Sequence, residues 1–225
     1  MDRVGPDSNH WKPPNVDRSD PAAYPNLFAA AMSKSLARLQ HSAISPLWQI
    51  HHAAADMLVP ILQRVRPLVS QIGLCNVSSL AILEQCIASM PANFIVSVQN
   101  KFSPFLSCKL RTEEQKILDY CEKTGLVYIA YGCFGGIDFR KKKITNPAYG
   151  LADELPLLAQ VAALHSTSPC AVYLAYLRHR WPRACMPLVG ARCTAHVTDL
   201  AAVYQIRLSR DEVSAIKNAI AQFRN

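Results

Sequence analysis

The sequence predicts an α/β protein in which short strands alternate with helices along the whole chain. Short apolar runs typical of buried strands recur between helical segments, and polar residues such as His51 and the pair Cys75-Asn76 directly follow two of these runs. Parallel strands joined by right-handed helical crossovers are buried on both faces, which accounts for the apolar runs. Only the loops after such strands face solvent, so the polar residues there are the first candidates for a site.

The composition is that of a globular protein with enough apolar material for a core. Half of the 225 residues are hydrophobic. The excess of 24 Lys and Arg over 16 Asp and Glu gives a net charge of +8, which is compatible with nucleic acid, an anionic membrane or a phosphorylated ligand. The dense basic run, residues 140–143, lacks interleaved aromatic residues, which favours a solvated loop, with a ligand phosphate as the second interpretation.

The eight cysteines predict reduced core and site residues in a cytoplasmic protein. Their number is far below the density of a disulfide scaffold, and no two have the two-residue spacing of zinc ribbons and redox motifs, so no metal site is expected. The N-terminus lacks the apolar run of a signal peptide, and no uncharged apolar stretch reaches the roughly 20 residues that span a bilayer. We therefore expect no membrane partner.

The first half of the chain is predicted to hold a proline-rich loop, three helices and three strands. Pro6–Pro25 contains five prolines and is predicted to be a loop. A helix capped by Asn26 follows, with apolar residues on one face: Phe28, Met32, Leu36 and Leu39. The later elements are a strand ending at His51, a helix over Asp56–Val69 weakened by Pro67, a strand ending at Cys75-Asn76, a helix over about Ser79–Met90 and a strand over Phe94–Gln99.

Capping residues mark the helices of the second half. Thr112-Glu113-Glu114-Gln115 is predicted to begin a helix as a capping box, and Gly125 to end it. Ser168-Pro169 begins another helix that runs to about His179, and a second capping box, Ser209-Arg210-Asp211-Glu212, begins the last one. The strands predicted between these helices are Leu126–Tyr131 and Cys185–Val189.

Two stretches and the strand ends resemble the aldo-keto reductase family of NADPH-dependent carbonyl reductases. The stretches are Lys34–Gln40, before the histidine strand, and Ser168–Arg192. The resemblance covers nearly the whole chain as one domain, residues 1–225, with 1–25 largely loop. It implies an α/β fold, the eight-stranded TIM (β/α)8 barrel, and the first strand of this chain corresponds to the third strand of that barrel. Because closure needs eight strands and about 250 residues, we expect an incomplete barrel, its first two strands absent, with two exposed sheet edges.

The resemblance also assigns the catalytic residues. The family uses a tyrosine as proton donor, a lysine and a histidine that tune it, and an aspartate that orients the lysine. His51 matches the carbonyl-orienting histidine, although a histidine closing an apolar strand is, by itself, more often structural. Arg3 stands at the position of the lysine and stays protonated, so it cannot tune a phenol in the same manner. The tyrosine and the aspartate belong to the two missing strands.

Residues at three strand ends match the family's contacts with the nicotinamide of NADPH (NADP+). Cys75 and Asn76 match a Ser-Asn pair, and Gln99 matches a glutamine, which together hold the carboxamide. Cys75 is equally well explained as a small core residue. Tyr131 matches the aromatic ring on which the nicotinamide stacks. Gly132 and Phe134, with their neighbours, lie where the family wraps the pyrophosphate.

The last strand leads into a turn that resembles the family's phosphate-binding loop. Gly190 and Arg192 precede a helix, and a helix N-terminus with a guanidinium nearby attracts a phosphate. Arg192 and His196 are therefore candidates for the adenosine 2′-phosphate. Asp199-Leu200 stands where the family commonly has Glu-Asn against the adenine. Leu200 has no side-chain amide and so cannot make the contact that the asparagine makes.

The function implied by the resemblance is NADPH-dependent reduction of a carbonyl, an aldehyde or a ketone, to an alcohol, with a small-molecule substrate and no metal. The alternative is a catalytically inactive relative that retains nucleotide binding or acts as an interaction protein. A third hypothesis, an anion or nucleic-acid binder, is supported only by the net charge. NADPH titration combined with an assay of carbonyl turnover separates these hypotheses.

Overall fold

The structure, a computed structural model, describes residues 23–38, 47–51, 53–135, 151, 153, 155–191 and 193–222. Arg3, the basic run 140–143, Arg192 and most of the proline-rich stretch lie outside these ranges. The helices and strands are α1 (Ala23–Arg38), β1 (Trp48–His51), α2 (Ala55–Val65), β2 (Ile72–Cys75), α3 (Leu80–Ala88), β3 (Ile95–Lys101), α4 (Cys108–Thr124), β4 (Val127–Tyr131), α5 (Pro156–Leu164), α6 (Pro169–Arg180), β5 (Cys185–Leu188), α7 (Thr194–Ala202) and α8 (Arg210–Gln222).

The five strands form one sheet in the order β1-β2-β3-β4-β5. The pairs β1–β2, β2–β3 and β4–β5 are parallel, which confirms the predicted α/β class. Within the described ranges the sheet ends at β1 and β5, so these strands do not close a barrel. By its contacts the chain divides into two compact units, Met1–Gln99 and Asn100–Asn225.

The first unit is built on β2, which is buried at all four of its positions. Such a strand has neighbours on both sides and helices over its faces, as expected in a parallel sheet. Helix α2 packs an apolar stripe at helical spacing: Leu58, Ile61, Leu62 and Val65. It ends at Val65 and continues as a 3-10 turn over Arg66–Leu68, earlier than predicted, because Pro67 has no N–H to extend the α-helix.

The second unit is built around α6, in which eight consecutive residues, Cys170–Leu177, are buried. A helix that is apolar on every side lies inside a protein. Trp181 follows it, also buried, and donates its Nε1–H to Oδ1 of Asp119 in α4 at 2.7 Å. Its ring meets Phe102 edge-on, with centroids 5.6 Å apart. These contacts tie α4 to the residue that follows α6 and to Phe102 after β3.

The predicted start of the first helix was wrong. Helix α1 begins at Ala23, so Pro25 is helical rather than the end of a loop, and Asn26 lies inside the helix instead of capping it. Proline is tolerated in a first helical turn because the N–H groups there have no partner within the helix.

The first capping box was also wrong, whereas the second is confirmed. Helix α4 begins at Cys108, and the hydroxyl of Thr112 donates to the carbonyl of Cys108 at 2.9 Å from within the helix. The helix starts one turn earlier than predicted, and in that turn the buried Arg111 guanidinium donates to the carbonyl oxygens of Pro104, at 2.8 Å, and Leu106, at 3.2 Å. These bonds fix the loop directly before the helix.

Three helix signals are confirmed, the second capping box among them. At α8, the Ser209 N–H donates to Glu212 at 2.7 Å, and the Glu212 N–H donates to the Ser209 hydroxyl at 3.2 Å, a reciprocal capping box. The Ser168 hydroxyl accepts from the N–H of Ala171 at 3.1 Å at the start of α6. Gly125 ends α4 with φ at 81°, a left-handed conformation that favours glycine.

Replacing Gly73 with alanine is expected to lower the free energy of unfolding by about 1–3 kcal/mol, because the site has no room for a methyl group. A Cβ at this central position of β2 would overlap Ser97 Oγ and approach Gln49 Cγ to 2.9 Å. Urea denaturation of the two proteins measures the change. Gly190→Ala is the matched control, since nothing lies within 4 Å of a Cβ there. Adding Ser97→Ala should restore part of the loss; an unchanged midpoint in the single variant would contradict the packing seen here.

Candidate active site at the strand ends

Three of the residues predicted to form the site lie side by side across the C-terminal ends of β1, β2 and β3. The register pairs His51 with Cys75 and Cys75 with Gln99. Parallel strands in register end at the same edge of a sheet, so residues far apart in sequence become neighbours there. We call His51, Cys75 and Gln99 the strand-end row.

The side chains of the strand-end row contact one another. Nδ1 of His51 lies 2.9 Å from Sγ of Cys75, and Nε2 of Gln99 donates to the same sulfur at 3.4 Å. Cys75 is only 3% exposed, whereas His51 is exposed. Burial raises the pKa of the Cys75 thiol, and the hydrogen bonds from Gln99 and the Asn76 backbone oppose that effect. The sulfur is therefore a neutral thiol that bridges an exposed imidazole and an amide.

Asn76 closes β2 beside the strand-end row. Its N–H donates to the carbonyl oxygen of Gln99 at 2.9 Å, which extends the pairing of β2 and β3 by one residue. Its φ of 60° lies in the left-handed region, which asparagine enters more readily than most residues. The chain turns away from the sheet at this point, so Asn76 begins the loop after β2, as the sequence predicted.

In the second unit, Tyr131, Gly132 and Phe134 follow one another at the end of β4. The Tyr131 carbonyl accepts from the N–H of Phe102 at 3.0 Å, and the Gly132 carbonyl accepts from the N–H of Gly135 at 2.9 Å. The second bond closes a four-residue turn that begins at Gly132, which itself has a φ of 64°. Tyr131 and Phe134 are both partly exposed on this turn.

Lys101 was not predicted as a site residue, yet its aliphatic stem lies against Gly132. A Cβ on Gly132 would lie 3.4 Å from Cγ and 3.5 Å from Cε of the lysine. The signal that could have found it is strand periodicity: Lys101 is two residues after Gln99 and shares its face of β3. The sequence prediction ended this strand at Gln99, two residues early, and so left Lys101 out.

The residues predicted around the adenosine lie after β5, also in the second unit. Gly190 and His196 are exposed, the latter in the first turn of α7 with its N–H directed to the Cys193 carbonyl at 3.1 Å. The Asp199 carboxylate accepts from the hydroxyl of Ser168 at 2.6 Å, so it joins α7 to the N-terminus of α6. Arg192, the predicted phosphate ligand, lies outside the described residues, as does Arg3.

Neither a metal centre nor a membrane span occurs in the part of the chain that the structure describes. No group of three or more His, Cys, Asp or Glu side chains there could hold a metal ion. None of the helices described combines the length and the apolar character needed to cross a bilayer. All eight cysteines are described, and each carries a free thiol.

Alternating helices and parallel strands, with the strands adjacent in the sheet in the order of the sequence and polar residues at their ends, are typical of the class of (β/α)-barrel proteins. Within that class, residues 22–221 match the model of the aldo/keto reductase family, so the chain belongs to this family. It is 25% identical over 221 residues to mouse aldo-keto reductase family 1 member C13 and 26% identical over 213 residues to bovine dihydrodiol dehydrogenase 3. The aligned regions are 89% and 85% of this chain but only 66% and 64% of those relatives.

Solved structures show the same fold. Aldose reductase from Giardia lamblia matches 89% of this chain and 69% of its own, with a TM-score of 0.66 and 19% identity. A thermostable aldo-keto reductase crystallised with epalrestat matches 84% of this chain and 65% of its own, with a TM-score of 0.62 and 21% identity. The incomplete α/β barrel predicted from the sequence is thus confirmed. The chain spans about two thirds of these proteins.

Proposed function

We propose that the chain is an NADPH-dependent oxidoreductase that reduces the carbonyl of a small aldehyde or ketone to an alcohol. The observation that carries the proposal is the strand-end row, in which an exposed histidine lies beside amide and thiol groups at one edge of a parallel sheet. This edge is where barrel enzymes of this class place their chemistry. Family membership supports the same reaction.

The role proposed for His51 is to orient and polarise the carbonyl. An imidazole N–H can donate a hydrogen bond to a carbonyl oxygen and stabilises the negative charge that develops there during reduction. His51 is exposed at the end of β1, so a substrate can reach its ring. Cys75 anchors the ring from the buried side.

The donor set at the strand ends fits a nicotinamide. Asn76 and Gln99 carry amides, which supply both donors and acceptors for a carboxamide, and Gln99 already uses one N–H on Cys75. Tyr131 offers a partly exposed ring for stacking. NADPH, when bound, supplies the hydride. We propose that Gly132 and Phe134 contact its pyrophosphate and that Arg192 and His196 contact its 2′-phosphate, with Gly190 and Asp199 beside the adenosine.

The second candidate function is nucleotide binding without turnover. Turnover in this family uses a tyrosine as proton donor. Tyr24 is the sole tyrosine in Met1–Gln99, and its ring packs on Phe28 in α1 with centroids 5.3 Å apart. Tyr128 and Tyr173 of the second unit are fully buried. The family resemblance places Arg3 where the family has a lysine. Because arginine stays protonated, this residue also favours nucleotide binding without turnover. We propose a cytoplasmic location for either function, since eight free thiols are typical of a reducing compartment.

Titration of the chain with NADPH, followed by quenching of its fluorescence, tests binding, and the loss of NADPH absorbance with an added aromatic aldehyde tests turnover. Quenching with turnover supports the reductase, and quenching without turnover supports the nucleotide-binding relative. If neither NADPH nor NADP+ binds, both proposals fail. Salt-sensitive binding of duplex DNA would instead favour the nucleic-acid hypothesis.

Replacing Lys101 with methionine is expected to weaken NADPH binding by about tenfold and to flatten its salt dependence. Methionine keeps the stem that packs on Gly132 but removes the ammonium group beside the turn proposed to hold the pyrophosphate. Fluorescence titration at two salt concentrations measures both effects. Lys123→Met, an exposed lysine of α4, is the control. Equal Kd values for the Lys101 variant and the unmodified chain would exclude this contact.

A further inference from the structure

Helix α7 differs from the other helices in how little of it is covered. Helices α1–α6 and α8 each have at least two buried residues, whereas none of the nine residues of α7 is buried. Its sequence includes the β-branched Thr194, Val197 and Thr198, which have modest helix propensity. Short helices are marginal in water and depend on packing for their stability. We therefore expect α7 to be the least stable helix of the second unit.

Asp199 holds α7 to helix α6 through a hydrogen bond, which we call the latch. The Ser168 hydroxyl donates to Oδ2 of Asp199 at 2.6 Å and accepts from the N–H of Ala171 at 3.1 Å. A hydroxyl can donate and accept at once, so the two bonds are compatible. Helix α6 is buried over eight consecutive residues, so the donor of the latch belongs to a firmly packed element.

We propose that α7 opens by local unfolding while the rest of the second unit stays folded, and that the latch controls how often it opens. Segments with few buried contacts open at a much lower free energy than the whole protein requires. A hydrogen bond to a carboxylate is stronger than one between neutral groups, so the latch is a large part of what holds a helix with no buried residue. The opening ends at Val203, which follows α7 and is buried.

The opening affects a nucleotide only through the proposed function. His196 and Asp199, which we propose to lie at the 2′-phosphate and beside the adenosine, both belong to α7. If NADPH binds the closed helix, its apparent affinity falls in proportion to the closed fraction, and bound NADPH in turn holds α7 closed. The opening in the free chain does not depend on this role, because it follows from the burial of α7 and from the latch.

Hydrogen–deuterium exchange of the folded chain, followed by mass spectrometry of its peptides, tests the proposal. We expect the amides of α7 to exchange at least about 100-fold faster than those of α6. In Asp199→Ala, which removes the acceptor of the latch, exchange in α7 should become a further three- to tenfold faster, roughly, with α6 unchanged. Asp199→Asn keeps an oxygen that can accept from Ser168 and should remain within about twofold of the unmodified chain.

The two variants separate the latch from intrinsic helix propensity. Alanine is the better helix former, so propensity alone would make exchange in Asp199→Ala slower than in Asp199→Asn, which is the reverse of the order expected from the latch. Asp199 is partly exposed, so neither substitution leaves a cavity in the core. Asp211→Ala, which removes an exposed carboxylate from α8, is the matched control and should leave α7 unchanged.

Two results would overturn the proposal. The first is exchange in α7 of the unmodified chain as slow as exchange in α6, because the helix would then open only with the rest of the unit. The second is equal exchange in Asp199→Ala and Asp199→Asn, or the reverse order, because the latch would then have no measurable effect.

Added NADPH separates this inference from the function on which its regulatory role rests. If NADPH binds as proposed, a saturating amount should slow exchange in α7 by about tenfold or more. A chain whose α7 opens as expected but that binds no NADPH overturns the proposed function alone. A chain that binds NADPH while its free α7 exchanges as slowly as α6 overturns the latch alone. Binding that leaves exchange in α7 unchanged overturns the coupling between the latch and the nucleotide.

Discussion

Replacing His51 with alanine is expected to lower kcat for aldehyde reduction by about 10²–10³-fold, the usual cost of removing one preorganised donor from a developing negative charge. The ring is exposed at the end of β1, while its Nδ1 is anchored on Cys75, so the substitution removes a donor without emptying the core. The Kd for NADPH should remain within about twofold, since the amides proposed to hold the nicotinamide belong to Asn76 and Gln99. Steady-state kinetics and fluorescence titration measure the two quantities.

His179→Ala is the matched control for this variant. His179 is also exposed, and its Nδ1 lies 2.8 Å from the Ala175 carbonyl of its own helix, so its loss should leave kcat unchanged. If His51→Ala retained full turnover, His51 would have a structural role, as a histidine that closes an apolar strand more often does.

The strand-end row was predictable from the sequence because it depends on where strands end. Each of the three strands is a short apolar run, and in the sequence each run ends at a residue that can form hydrogen bonds. Because parallel strands end at the same edge of a sheet, His51, Cys75 and Gln99 were expected to lie side by side. The bond between His51 and Cys75 could not be predicted, since it depends on side-chain placement across strands.

The wrong predictions concern the ends of elements and side-chain contacts, which the pattern of apolar and capping residues does not show. Helix α4 starts before its apparent capping box, and Arg111 in the added turn bonds to the loop at Pro104 and Leu106. Lys101 was missed because pairing extends β3 beyond its apolar run. Glu114, read as part of that capping box, instead faces the sheet from inside the helix. Local patterns predict which elements exist, whereas the boundaries and the buried polar contacts depend on packing.

The carboxylate of Glu114 is part of a buried cluster in the second unit. Asn100 donates to both of its oxygens, at 3.2 and 3.0 Å, and the Tyr128 hydroxyl donates to Oε2 at 2.7 Å. Tyr128 is fully buried, and Asn100 is 1% exposed. Burial raises the pKa of Glu114 from 4.5 to about 7; the hydrogen bonds from Tyr128 and Asn100 oppose this effect, and the nearby charge of Glu113 adds to it.

We expect the free energy of unfolding to fall as the pH rises from about 4.5 to about 7, by about 3 kcal/mol in total from Glu114. In this window the folded chain holds a proton on Glu114 that the unfolded chain has released, so higher pH favours unfolding. The contribution is fully present below the unfolded pKa and is lost once the pH exceeds the folded one. Urea denaturation at several pH values between 5 and 8 measures the slope.

Glu114→Gln should remove this slope, because glutamine is of similar size, can accept from the Tyr128 hydroxyl and carries no charge to desolvate. At pH 8 the variant should therefore be more stable than the unmodified chain, while at pH 5 the two should be similar.

Glu113→Gln is the matched control, since that carboxylate forms a helix-surface pair with Lys116 at 3.0 Å, and its loss should change stability by less than about 1 kcal/mol. Parallel pH profiles for Glu114→Gln and the unmodified chain would show that the carboxylate is ionised in the folded protein throughout, because its hydrogen bonds would then outweigh the cost of burial.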